Sequence, residues 1–155
     1  MSALPAPRLE HIADLTIEIA TPIEVGETGQ GERRVIPITG GKVEGPRLNG
    51  RIRSAGADFQ IIRAGGVAEL VARYVIEADD GAIIYIENTG IRHGPPELIE
   101  KLRRGEAVDP ALIYFRTLPR FETASPTYAF LTRHLFIAMG ARHRDRVSLG
   151  LWMVL

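Results

Sequence analysis

Polar side chains set among apolar neighbours are where this sequence has the means to do chemistry, because burying such a group without a partner is costly. Arg73 stands between Val71 and Val75, with Tyr74 beside it. Asn88 follows Ile84 and Ile86 at alternate positions. Arg116 follows Tyr114, and Arg133 shares its spacing with Leu131, Leu135 and Ile137. His134 falls in step with Thr132 and Phe136. Asp58, Glu122 and Tyr128 complete the set. Gathered around one cavity, these groups would handle a small oxygenated molecule. An arginine holds a carboxylate, enolate or phenolate oxygen through charge-assisted hydrogen bonds. Asp58, Glu122 or His134 would move a proton, with burial tuning its pKa toward neutrality. Tyr74 or Tyr128 would donate to developing oxyanion charge. The expected catalytic residues are therefore Asp58, Glu122 and His134. The expected binding residues are Arg73, Tyr74, Asn88, Arg116, Tyr128 and Arg133.

Each of these residues also has a plain structural role open to it. Asp58 would cap the turn after Gly56-Ala57. Arg73 and Glu122 would tie strands together as a buried ion pair. Arg133 would satisfy carbonyls at a barrel end. Strand alternation also bars Arg73 and Tyr74 from sharing a lumen unless a bulge intervenes.

Composition removes many other chemistries. The chain has 155 residues, enough for one domain with a real core. It has 19 basic and 19 acidic residues, so it lacks the surplus positive charge of a general nucleic-acid binder. All the basic residues except Lys42 and Lys101 are arginine. No cysteine is present, which excludes disulfides, thiolate metal sites and a cysteine nucleophile. His11, His93, His134 and His143 never fall at metal-ligand spacing, so no metal is expected. The glycines at 40, 41 and 45 fit neither a Walker loop nor a dinucleotide loop, and no Gly-x-Ser-x-Gly elbow exists. No cofactor is expected. No run reaches the ~18 apolar residues of a membrane span, and a cytoplasmic location is the expectation.

The elements that must position these side chains are mostly strands. Residues 1–8 read as a flexible arm, leaving residues 9–155 as a single domain. Leu15–Thr21, Arg33–Thr39, Arg51–Ser54, Asp58–Arg63, Glu69–Glu77, Ala82–Asn88, Leu112–Leu118 and Val147–Leu155 have strand character. Pro37 marks its strand as an edge or a bulge. Asn49-Gly50, Gly65-Gly66 and Asp79-Asp80-Gly81 read as tight turns. Pro95–Arg104 is a short helix, with proline first, acids early, bases late and Gly105 beyond. Thr127–Met139 is ambiguous by periodicity. The predicted fold is all-β: a closed antiparallel barrel of about eight to nine strands with one short helix inserted.

Several segments, in order, resemble the domain of unknown function 3237 family (DUF3237, also UPF0311). They are Pro37-Ile38-Thr39-Gly40-Gly41, Gly45-Pro46-x-Leu48-x-Gly50, Gly56-Ala57-Asp58, Ala72-Arg73-Tyr74, Asp80-Gly81 with Ile84-Tyr85, and Asn88-x-Gly90. Tyr114-Phe115-Arg116-Thr117, Phe121-Glu122-Thr123, Tyr128 and Leu131-x-Arg133 follow. The resemblance runs from about residue 10 to the end and implies a compact β-barrel. One departure is Phe130-Leu131-Thr132-Arg133, where the family pattern has Trp-Leu-Asn-Arg.

Three functions remain open. The first is a cofactor-free acid–base enzyme (an isomerase, cyclase or lyase) acting on a carbonyl or phenolic metabolite. The second is a carrier or sensor holding a similar ligand without turnover. The third is a self-assembling structural barrel. Both faces of the last strand are apolar, with Leu149, Leu151 and Met153 against Trp152 and Val154, which predicts a homo-oligomer, a dimer or larger. No membrane or nucleic-acid partner is expected.

Overall fold

A computed structural model describes residues 1–155. Nine strands run in sequence: β1 (Leu9–Ile19), β2 (Ile23–Thr28), β3 (Gly31–Glu44), β4 (Gly50–Ile62), β5 (Ala68–Ala78), β6 (Ile83–His93), β7 (Tyr114–Thr123), β8 (Phe136–Arg142) and β9 (Arg146–Val154). One helix, α1 (Pro96–Arg103), lies between β6 and β7. The strand order is β1-β9-β8-β7-β6-β5-β4-β3-β2, and β1 also pairs with β3. That extra pairing closes eight strands into an antiparallel barrel and leaves β2 as a ninth strand outside it.

Alternation drives the closure. Side chains two apart share a face. In β6, Ile84, Ile86, Asn88 and Arg92 are buried, while Ile83, Thr89 and Ile91 between them are exposed. The same period holds in β7, where Phe115, Thr117 and Phe121 are buried and Tyr114, Arg116 and Leu118 are not. Each fully buried leucine or isoleucine on the inner face contributes roughly 1.5–3 kcal/mol. The inner face divides into two halves. Toward one end Ile12, Leu48, Ile76, Ile84, Leu131 and Leu151 pack solid. Phe121 and Phe136 meet there edge to face at 5.1 Å. A 3-10 segment, Pro126–Thr132, lies over that end and contributes the buried Leu131. Toward the other end the inner residues turn polar, and α1 lies over them with Leu98, Ile99 and Leu102 packed on the core.

Several local readings change. The two strands expected around residues 51–63 are one strand, β4, broken in register between Ile52 and Gly56. Asn49-Gly50 does not make a two-residue turn. Residues 45–49 form a longer loop, closed by Asn49, whose side chain accepts from Gly45 N at 3.0 Å and donates to Gly45 O at 2.8 Å. Pro37 sits at a bulge. The β3–β4 register shifts between Pro37 and Gly41, and Pro37 O accepts from Ala20 N at 3.0 Å where β3 passes from β2 to β1. Thr127–Met139 divides into the 3-10 segment and β8, so its ambiguous periodicity comes from two elements. On β9, Leu149, Leu151 and Met153 point inward, while Trp152 lies outside across Gly150 and 5.5 Å from the His11 ring.

Candidate functional site

The polar half of the barrel encloses a cavity. Its apolar wall includes Ile17, Ile36, Leu70, Phe115 and Leu149. Its polar wall is Asp58, Tyr74, Asn88, Arg92, Thr117 and Arg142. The space is tight, about 50 Å³. Of the residues singled out from the sequence, Asp58, Tyr74 and Asn88 line this one cavity. Register explains why: Tyr74 pairs with Ile86 and Gly56, and Ala72 bridges Asp58 on β4 to Asn88 on β6.

Asp58 is half-buried and sits mid-strand, not at a turn. Its Oδ1 accepts from Val71 N at 3.2 Å. Its Oδ2 is 3.4 Å from Gln60 Nε2. Arg34 Nη1 donates to Gln60 Oε1 at 3.2 Å, and Arg34 Nε donates to Glu24 at 2.9 Å. A chain of polar groups therefore runs from the surface through Arg34 and Gln60 to Asp58, and it fixes which way the Gln60 amide points. Burial raises the Asp58 pKa above the ordinary aspartate value, while the charge of Arg92 and the bonds from Val71 and Gln60 pull it down less strongly. Burial, then the charge of Asp58, pushes the Tyr74 phenol well above its usual range, so it remains a protonated donor.

Four polar atoms in this half are fully buried and find no partner in the protein: Tyr74 Oη, Asn88 Oδ1, Thr117 Oγ1 and Arg142 Nη1. All four residues line the same cavity. Native interiors rarely leave buried polar groups unsatisfied. These four leave hydrogen-bonding capacity directed into one small cavity. Thr117→Val should accordingly stabilise the protein, because it removes an unsatisfied hydroxyl and keeps the shape. The expected gain is about 1 kcal/mol, or a Tm higher by ~2–4 °C, read by thermal denaturation. A lower Tm would show that the hydroxyl is satisfied after all.

The remaining expected residues lie elsewhere. Arg73 is exposed, and its Nε donates to Glu87 Oε2 at 3.0 Å on the outer face, so its partner is Glu87 and not Glu122. Glu122 is exposed on β7, opposite Tyr85. Arg116 is exposed, donating from Nη1 to Phe115 O at 3.0 Å beside the Tyr114 ring. Tyr128 is half-buried near Asp79 and Asp80; burial and then those charges raise its pKa. Arg133 and His134 are exposed after the 3-10 segment, and His134 Nδ1 donates to Phe130 O at 2.9 Å. None of these six lines the cavity. Strand alternation explains Arg73, Arg116 and Glu122, which take the outward positions of their strands. Tyr128, Arg133 and His134 belong to the packed end of the barrel. Phe130 lies there too, with the Arg47 guanidinium 4.0 Å from its ring centre, so the departure from the family pattern falls away from the cavity.

Sequence reasoning missed Arg34, Gln60, Arg92, Thr117 and Arg142. The period of two held the signal for three of them. Gln60 is two after Asp58, Arg92 is four after Asn88, and Thr117 is two after Phe115. No three His, Cys, Asp or Glu side chains cluster as metal ligands would. No helix is long and apolar enough to cross a membrane.

The family model for DUF3237, described as a protein of unknown function, matches residues 7–154. The chain belongs to the DUF3237 family. A UPF0311 protein of Rhodopseudomonas palustris (strain TIE-1) is 51% identical over 151 residues, covering 97% of this chain and 99% of its own. A UPF0311 protein of Clostridium acetobutylicum is 45% identical over 146 residues, covering 94% of this chain and 92% of its own. Among solved structures, a conserved protein of unknown function from Rhodopseudomonas palustris superposes with a TM-score of 0.95 at 49% identity, over 98% of this chain and all of the other. A β-barrel-like protein from Acinetobacter baumannii gives 0.87 at 38% identity over the whole of both chains. An enzyme from Penicillium herquei gives 0.73 at 18% identity over both chains, and so shares the DUF3237 barrel as a fold.

Proposed function

We propose that the barrel binds a small carbonyl or phenolic metabolite in its polar half and acts on it by cofactor-free proton transfer at Asp58. The observation that carries this reading is the convergence of four unpartnered buried polar atoms and one carboxyl group on a single cavity. In the proposed step Asp58 takes a proton from the carbon beside a carbonyl. The C–H electron pair becomes the C=C of an enolate, and the Tyr74 hydroxyl holds the oxygen that gains charge. Returning the proton to another carbon completes an isomerisation. Seating even one ring requires lining side chains to turn aside, since ordinary ligand pockets measure roughly 300–1,000 Å³. That a protein of this fold is called an enzyme agrees with the reading.

The proposal extends to a cytoplasmic setting and a homo-oligomer. The outer faces of β6, β7 and β8 expose Ile91, Leu118 and Met139, which a second copy would cover. The proton-transfer step is tested with a panel of phenols and 1,3-diketones, by thermal shift and by proton NMR in deuterated water. The expected result is that a binder among them gains deuterium at its acidic carbon faster with protein than without. Binding without exchange would make the protein a carrier. No binding by any member would leave the structural reading.

A further inference from the structure

Arg92 and Arg142 have no anionic partner in the protein close enough to pair with them. Arg92 is 8% exposed and makes no side-chain hydrogen bond or ion pair; its guanidinium lies 5.6 Å from the centre of the Phe115 ring. That contact engages the face of the group and leaves its N–H donors free. Arg142 is half-buried, and its Nη1 is fully buried without a partner. The neighbouring arginines are already engaged, Arg34 with Glu24 and Gln60, Arg103 with Glu32. Asp58 is the one carboxyl group facing them in the cavity, and its oxygens are taken up by Val71 and Gln60. Burial, then the charge of Arg142, lowers the Arg92 pKa to about 10. Burial, then the charge of Arg34, lowers that of Arg142. Leaving a buried guanidinium uncompensated is strongly destabilising.

The location matters as much as the charge. Arg142 lines the cavity, a recess beneath α1 shared with Arg92, and an open cleft of about 830 Å³. Arg34, Arg103, Arg104 and Arg144 line that cleft as well. Glu24 and Asp145 line the cleft too, so the path from solvent to the polar half of the barrel carries both signs of charge, with arginines in excess.

We propose that Arg92 and Arg142 bind the carboxylate of the ligand at the mouth of the lumen, so that the substrate is an organic acid with a carbonyl or phenol group reaching toward Asp58 and Tyr74. This rests on the lumen being a ligand site. The two nitrogens of a guanidinium match the two oxygens of a carboxylate. The excess positive charge also draws anions into the cleft.

The test compares 4-hydroxybenzoate with its neutral amide, 4-hydroxybenzamide, by titration calorimetry on the full chain at low salt. The expected result is that the acid binds about tenfold or more tighter than the amide. Arg142→Gln and Arg92→Gln should each weaken acid binding more than amide binding and so narrow that preference. Because each variant removes an unpaired charge, each should melt no lower than the parent. Equal affinity for acid and amide would overturn the anion site and leave the lumen reading standing. Inorganic phosphate binding as tightly as the acid, with the same arginine dependence and without displacing the amide, would overturn the assignment to an organic acid. Failure of both acid and amide to bind would remove the lumen reading along with it.

Discussion

On the proposed proton-transfer role, Asp58→Asn should slow the exchange by roughly 10²–10⁴ while raising the melting temperature at neutral pH. The two effects have one cause. Burial makes the ionised carboxylate costly, and the attraction of Arg92 and Arg142 recovers only part of that cost, so the folded pKa lies above the ordinary value. A base of raised pKa is a better match to neutral-pH proton transfer, and removing it costs roughly 10²–10⁴ in rate. Asparagine still accepts from Val71 N, and its Nδ2 then faces the Gln60 Nε2 donor across the long 3.4 Å contact, a cost smaller than that of burying the carboxylate. The sign of the pH dependence follows. Below the unfolded pKa of about 3.9 both states of the parent carry a protonated Asp58, and the variant gains nothing. As pH rises, the unfolded chain ionises first, and the parent loses stability until pH passes the folded pKa. Above it the deficit is complete, so the advantage of the variant is largest at neutral pH and vanishes in acid. Melting curves from pH 3 to 8 read this directly. A variant that melts lower than the parent at neutral pH would show that Asp58 is held in place by its charge, as a structural ion pair would be.

Gly56→Ala should be among the most damaging single methyl groups added to this chain, together with Gly41→Ala. Gly56 has φ 122°, a conformation that side chains rarely adopt. A Cβ built there would lie 2.1 Å from Arg73 O and 2.9 Å from Tyr74 Cα. Those atoms are backbone of the paired strand β5, so they cannot move aside without opening the β4–β5 ladder. Strain and overpacking together cost about 3 kcal/mol or more, which lowers Tm by ~10 °C. The same change shifts Asp58, two residues along, and Tyr74, directly opposite, so ligand binding should fall with stability. Gly29→Ala is the control, since a Cβ there meets nothing within 4 Å. Thermal and urea denaturation of both variants check the contrast. A Gly56→Ala protein that melts with the parent would mean that the bulge yields and does not position Asp58.

The barrel was legible because its strands obey a period of two over long stretches, and closure follows from many short antiparallel strands with one helix. Tyr74 and Asn88 were legible for the same reason, each being polar on an apolar face. Arg92 was hidden because Gly90 interrupts the apolar pattern, so that the strand seems to stop at Asn88, although β6 runs on to His93. Arg34 and Arg142 sit near strand ends among other charges, where an arginine is usually at the rim. Glu122, Arg133 and His134 drew notice as polar residues near apolar ones. Facing is a property of register, and a sequence window that spans two elements, such as Thr127–Met139, carries no single register to read. The burial that raises the pKa of Asp58 comes from the seven other barrel strands closing around it, which no local pattern records.

The central claim is that the polar half of the barrel, and not its outer surface, is where a ligand binds. The most direct test is a crystal structure of the protein soaked with whichever probe gives the largest thermal shift. The account predicts density inside the lumen, with ligand oxygens within hydrogen-bond distance of Tyr74 Oη or Thr117 Oγ1 and beside Asp58. Density confined to the outer faces of β6 and β7, with only ordered water against the four buried polar atoms, would contradict it.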